Sequence, residues 1–251
     1  MSVVIIGYGV VGKGMHRTFP DAAIHDPRLG YDVADQEFDV GFVCVPTEMR
    51  EDGSADVSVV KACADEWWPR CAVIVIKSTV PPGTTNLLEA VGCPVVMSPE
   101  YSGGTQHSVA IDDGFVILGG ATHRTRIVAE AYKEVKPATF RILKTDSTTA
   151  ELVKYGENAY LFMKVAFVNE FARICEAFDV DFDVWRELLL QDPRIDAAHT
   201  FVYRRHPFAK SHCWDKDIPA IIHASIAAGY PAPLLSSMVV TNRDWKAGGQ
   251  I

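Results

Sequence analysis

The chain has 251 residues, 48% of them hydrophobic, enough to bury a core in one large domain or two small ones. Its 32 acidic against 24 basic side chains give a net charge of −8, which argues against a general binder of phosphate backbones and so against nucleic acid as a partner. No apolar run reaches the ~18 residues of a membrane span, and "MSVVIIGYG" lacks the basic leader of a signal peptide, so the sequence predicts a cytoplasmic protein with no membrane association.

The predicted elements begin with a strand, "VVIIG" at 3 to 7, that runs directly into "GYGVVGKG". Gly7, Gly9 and Gly12 fit G-x-G-x-x-G, in which the first glycine permits a tight turn, the second lets backbone approach a pyrophosphate and the third packs helix on strand. Asp26 ends a second strand in "AAIHDP", where a carboxylate could accept hydrogen bonds from an adenosine ribose. Together these predict a dinucleotide site. Asp26 favours NAD, whereas Arg28, two residues on, leaves NADP open.

Further apolar runs follow: "DVGFVCV" at 39 to 45, "AVIVIKS" at 72 to 78, "PVVMS" at 94 to 98 and "FVILGG" at 115 to 120. Such runs, alternating with helix-length polar segments, read as strands covered on both faces, hence an α/β doubly wound, Rossmann-like sheet over residues 1–145. Two of them end in "VPTE" (45–48) and "STVPPG" (78–83), at the carboxyl edge where open α/β sheets bind ligands.

From Thr148 to about residue 180 the sequence reads as one long helix, with Leu152, Ala159, Phe162, Met163, Ala166 and Phe167 at helical spacing. Residues 146–251 are therefore expected to form a long central helix and a small helical region, with the helix packed between layers or between subunits. Glu151, Lys154 and Asn158 share one face. A purely structural reading is available for each: a capping box of Thr148 with Glu151, an ion pair of Lys154 with Glu151, and an exposed Asn158. Beyond lie "DPRID" (192–196), the basic and aromatic "FVYRRHPF" (201–208), and "SHCWDKD" (211–217), with one or two closing helices. Arg204, with Arg205 and Lys210, could meet an anionic group or could be solvated surface charge. The six cysteines (Cys44, Cys63, Cys71, Cys93, Cys175, Cys213) contain no C-x-x-C pair, so neither disulfides nor a zinc site is expected. Cys213 stands beside His206 and His212 without a fourth ligand, and no metal is expected there. On composition alone it could be a nucleophile or a buried small hydrophobe.

In this order, "GYGVVG", "VPTE", "STVPPG", "SPE", "AELVKYGENAY", "AFVNE", "DPRI" and "CWDKD" resemble the UDP-glucose 6-dehydrogenase and GDP-mannose 6-dehydrogenase family over residues 2 to about 220. The resemblance implies oxidation of the C6 alcohol of a nucleotide sugar to a carboxylate, with two NAD per turnover, through a cysteine-bound intermediate. It makes Cys213 the nucleophile, Lys154 and Asp217 the pair that handles protons and oxyanions, and Asn158 a substrate contact beside them. It makes Glu100 the acid or base of thioester hydrolysis, Thr79 a residue that positions water, and Lys216 a substrate-side lysine. Arg194 would reach the neighbouring subunit of a homodimer, and Gly7, Gly9, Val11, Gly12, Asp26, Pro46 and Thr79 would line the NAD site.

The chemistry fits those residue types. An aldehyde cannot donate a second hydride until a nucleophile adds to its carbonyl, and a thiolate makes that addition and leaves a hydrolysable thioester. Three departures accompany the match. The stretch before the cysteine, "HPFAKSHC", has no glycine where the family has several; a second family glutamate falls on Gly104; and the resemblance, ending near residue 220, leads to the expectation of a short form that lacks the family's C-terminal nucleotide-binding domain. Two other readings stay open: a two-electron dehydrogenase of the β-hydroxyacid type, which has no need of Cys213, and a non-catalytic NAD-binding module.

Overall fold

The computed structural model describes residues 1–33, 35–101 and 114–248. They divide into two compact units, Met1–Lys154 and Tyr155–Ile251.

The first unit is built on β1 (Val3–Ile6), β2 (Ala23–His25), β3 (Phe38–Val43), β4 (Cys71–Ile76), β5 (Val95–Met97), β6 (Phe115–Gly119) and β7 (Arg141–Thr145). The strand order is β2-β1-β3-β4-β5-β6-β7. All neighbours are parallel except β5 and β6, which meet at Met97 and Gly119 in antiparallel sense. Successive side chains of a strand point to opposite faces, and the unbroken apolar runs accordingly feed two cores. Ile5, Phe42, Val73 and Val75 meet Met15 of α1 (Val10–Thr18) and Val128 and Tyr132 of α4 (Thr122–Val135). Ile6, Val43, Ile74 and Ile76 meet Val60 and Trp67 of α2 (Ser58–Trp67) and Leu88 of α3 (Thr84–Ala90). The expected Rossmann-like sheet is present.

The sequence reading missed β7, "RILKT", an edge strand with Arg141, Leu143 and Lys144 exposed. The order reverses beside β1, so the carboxyl ends of β1 and β3 open a crevice at the switch point where such sheets bind ligands.

The long helix is real: α5 runs from Ser147 to Ala177, 31 residues, and the division between the units falls within it. Its start corrects the local reading. Asp146 accepts from the Thr149 amide (2.8 Å) and Oγ1 (2.6 Å), while Thr148 Oγ1 accepts from Asn86 (3.1 Å), so no Thr148–Glu151 capping box forms. Glu151 is fully buried and bound elsewhere, as described below.

In the second unit, α6 (Phe182–Leu189) is capped by Asp181, which accepts from the amides of Asp183 and Val184. Helices α7 (His212–Ala227) and α8 (Pro233–Gly248) close the chain. Phe162, Ala209, Trp214 and Ile218 form this unit's core, with Met238 and Val239 packed against them. Phe162 is thus an internal residue, whereas Phe167 remains exposed. No helix among the described residues is long and apolar enough to cross a membrane.

Candidate active site

The glycine loop sits at the switch point. Gly7, at φ +90°, donates its amide to His25 (2.8 Å), and a Cβ there would lie 2.9 Å from the Cys44 carbonyl oxygen, so β1 and β3 approach too closely for a side chain. A Cβ on Gly12 would lie 2.0 Å from the Gly7 carbonyl oxygen. Gly9, which caps α1, is different: nothing lies within 4 Å of its missing Cβ. The first and third glycines are required by the protein's own packing, and the second faces open space at a helix N-terminus, the arrangement that suits a pyrophosphate.

Asp26 accepts from the Tyr8 amide (2.8 Å), which fixes its carboxylate at the mouth of the loop. Val11 is half-buried on α1 and Pro46 is exposed beyond β3. The residues present therefore fit NAD. Gly9→Ala should fold normally yet weaken NADH binding at least about tenfold, the cost of a methyl group driven into a ligand contact. Fluorescence titration beside a melting curve checks both halves; Gly12→Ala, in contrast, should lose stability itself.

Two side chains that the sequence reading passed over lace the loops after β3 and β4 together. Thr47 Oγ1 donates to the Thr79 carbonyl (2.9 Å) and Ser78 Oγ to the Val45 carbonyl (2.6 Å). Thr79 is half-buried between them. The loop after β5 brings Glu100, which accepts from the Tyr101 amide (2.9 Å) and lies 3.6 Å from Nζ of Lys77. Lys77 is 4% exposed and was not anticipated, although a lysine closing the apolar run "AVIVI" is itself a signal. The Lys154 ammonium stands 5.3 Å from the centre of the Tyr101 ring.

Glu151 does not pair with Lys154. Its carboxylate accepts from the Gly83 amide (2.6 Å), the Thr85 amide (2.8 Å) and Thr85 Oγ1 (2.7 Å), tying α5 to the start of α3. Burial pushes its carboxyl upward, against the three hydrogen bonds that pull it down.

The second unit holds the remaining candidates. Asn158, expected to be exposed on a structural reading, is buried, and its Nδ2 donates to Asp217 Oδ2 (2.8 Å). Lys216 Nζ donates to Asp217 Oδ1 (2.6 Å). Asp217 is 2% exposed, so both its oxygens are engaged in a desolvated setting. Cys213 is the second residue of α7, one turn before Asp217, and is exposed. The buried-hydrophobe reading of Cys213 fails on that exposure, whereas Cys44, Cys71, Cys93 and Cys175 satisfy it.

The glycine-free stretch before Cys213 is held at several points. Asn242 on α8 accepts from the Ala209 amide (2.7 Å) and donates to the Ala209 carbonyl (2.9 Å), and Arg173 donates to the Pro207 carbonyl (2.9 Å). Arg194 is drawn into a two-point contact with Asp192 (2.6 and 3.0 Å), its side chain 87% exposed. Arg204 lines a cavity of about 610 Å³ with Glu176, Asp179, Asp181 and Asp183, an acidic setting that opposes an anion. Gly104 lies outside the described residues.

Residues 27–136 match the NAD binding domain, and residues 148–244 the central domain, of the UDP-glucose/GDP-mannose dehydrogenase family. The chain is 32% identical to UDP-glucose 6-dehydrogenase TuaD of Bacillus subtilis over 81% of its own length and 46% of that protein's. It is 31% identical to UDP-glucose 6-dehydrogenase AglM of Haloferax volcanii, over 81% and 52%. It spans about half the length of the curated relatives it matches. In fold it is similar to a UDP-glucose dehydrogenase from Pyrobaculum islandicum, with a TM-score of 0.80 at 24% identity over 96% of this chain and 68% of that one. A UDP-D-ManNAc dehydrogenase from Pyrococcus horikoshii gives 0.80 at 23%, over 98% and 69%. On its two successive domain matches and these relatives, the chain belongs to the UDP-glucose/GDP-mannose dehydrogenase family.

Proposed function

We propose that the protein is an NAD-dependent nucleotide-sugar 6-dehydrogenase that oxidises a C6 alcohol to a carboxylate by way of a thioester on Cys213. The observation that carries this reading is the buried pair Asn158–Asp217, joined by the half-buried Lys216 and held one helical turn from an exposed cysteine. A purely structural helix has no reason to desolvate a carboxylate and an amide beside an accessible thiol.

NAD supplies the hydride acceptor, twice per turnover. In this reading Lys154 stabilises the alkoxide as the alcohol loses its proton, and Asn158 orients the hydroxyl. The thiolate of Cys213 then adds to the aldehyde carbon, forming a C–S bond and a thiohemiacetal whose carbon still carries a hydride to give. Its departure to the cofactor, with the hydroxyl proton released through water to the Lys154–Asp217 pair, leaves a thioester. Glu100 takes a proton from water positioned by Thr79 as the new C–O bond forms and the C–S bond breaks, and Asp217 with Lys216 governs the proton balance at the thiol. Residues 1–145 would form the cofactor half, and residues 146–251 the catalytic and dimerisation half.

The test is a screen of UDP-glucose, GDP-mannose and related nucleotide sugars with NAD, in which NADH and acid are both counted. The expected ratio is two NADH per acid. A ratio of one, with an aldehyde or ketone as final product, would replace this reading by the two-electron one; no NADH with any sugar would leave a binding module.

Assembly belongs to the same proposal. Tyr160, Phe167 and Ile174 recur at seven-residue spacing on α5 and are 55%, 48% and 40% exposed, a seam suited to a second copy of the same helix. A homodimer by light scattering is expected, and Phe167→Glu should convert it to monomer; an unmodified protein that is monomeric at micromolar concentration removes the idea.

A further inference from the structure

Lys77 directly follows β4, where five apolar residues, Ala72 to Ile76, give way to a charge buried to 4% exposure. An ammonium has three protons to donate, and buried ones are placed where each finds an acceptor. The Lys77 ammonium donates to two residues of the turn after β5, Ser98 Oγ at 3.3 Å and the Pro99 carbonyl at 3.1 Å, and stands at ion-pair distance, 3.6 Å, from Oε2 of the next, Glu100. Glu100's other oxygen receives the Tyr101 amide at 2.9 Å. One carboxylate oxygen is therefore hydrogen-bonded by a backbone amide and the other faces the ammonium of a lysine just beyond β4. Cys44 also feels Lys77, but burial pushes its thiol far up, so it stays neutral. Lys154, over the Tyr101 ring, is the further cation on this edge.

We infer that Lys77 is a positioning residue for the hydrolytic half of the reaction: it holds Glu100 as an oriented carboxylate base without touching substrate. This rests on the reading of Glu100 and Cys213 above. The step concerned forms the C–O bond from water to the acyl carbon, breaks the C–S bond, and passes the water proton to Glu100 while the sulfur leaves as thiolate. Without Lys77 the carboxylate loses its fixed direction, and this step alone should suffer.

The experiment follows a single turnover with NAD and UDP-glucose in the unaltered protein, Lys77→Met, Glu100→Gln and the double variant, reading NADH, released acid and the mass of the Cys213 peptide. Lys77→Met should slow acid release at least about 100-fold, leave NADH formation within about threefold and accumulate the acyl peptide. In the Glu100→Gln background the same change should cost less than about threefold, because a residue acting through Glu100 has nothing left to position. Equal slowing of NADH and acid, or an undiminished cost in the Glu100→Gln background, would overturn the proposal by making Lys77 merely structural. Should Lys77→Met fail to fold, Ser98→Ala, which removes one anchor of the ammonium, reads the same step: selective slowing of acid release supports the role and unchanged release removes it. If the unaltered protein turns over and Lys77→Met hydrolyses normally, only the role of Lys77 is lost. If the unaltered protein makes no NADH, the functional reading fails and this role goes with it.

Discussion

Cys213→Ser is expected to reduce acid formation by at least about 10³-fold while leaving NADH binding unchanged. A serine hydroxyl is a far weaker nucleophile than a thiolate and a poorer leaving group, so it fails both when the aldehyde is captured and when the acyl group is released. The variant is a clean probe because Cys213 is exposed on the first turn of α7 and the change from sulfur to oxygen opens no cavity. Intact-mass measurement with substrate and NAD should show an adduct on the unaltered protein and none on the variant. Acid production by the serine variant at the normal rate would remove the thioester mechanism.

The largest effect on stability is expected at Glu151. Glu151→Ala leaves the amides of Gly83 and Thr85 and the hydroxyl of Thr85 without an acceptor, and empties a fully buried position. Unsatisfied buried donors and the lost volume together should cost about 3–5 kcal/mol, seen as a melting temperature lower by about 10 °C. Glu151→Gln keeps the volume but turns an NH₂ group towards a donor, and should fall between. The pH dependence has a definite sign. Burial raises the folded-state value above the unfolded one, so the native state binds the proton more tightly. The contribution is fully present below the ordinary carboxylate value and is lost as pH rises through the raised one. Urea midpoints should decline over that window in the unaltered protein, and Glu151→Gln, which cannot titrate there, should remove this share of the decline. A Glu151→Ala protein as stable as the original would show that the link between α5 and α3 carries no weight.

These two positions show what could be read from the chain and what could not. The sheet was legible because its inner strands are buried on both faces, so "VVII" and "AVIVI" are apolar without interruption. β7 was illegible for the opposite reason, since an edge strand with exposed Arg141 and Lys144 has no such pattern. The length of α5 followed from apolar spacing, but the partner of Glu151 did not: local rules offered Thr148 and Lys154, three residues away on either side, whereas the actual donors are 66 and 68 residues distant. The candidate site divides in the same way. Asn158, Cys213 and Asp217 were visible as residue types in a motif, yet the burial of Asp217 and the lysine beside Glu100 depend on which strands and helices become neighbours.

The grip of Asn242 on Ala209 bears on how such a protein can drift. The side-chain amide meets one peptide group twice, accepting from its N–H and donating to its C=O, and makes no use of the methyl group at position 209. Specificity is thus demanded on one side and absent on the other. A sequence change at 209 that keeps the backbone path and fits the small buried space leaves Asn242 satisfied, while Asn242→Asp would set a carboxylate against the carbonyl whatever stands at 209. The two positions should therefore not covary among relatives, close as they are, and a search for correlated substitutions would pass over the contact that holds the approach to Cys213 in place.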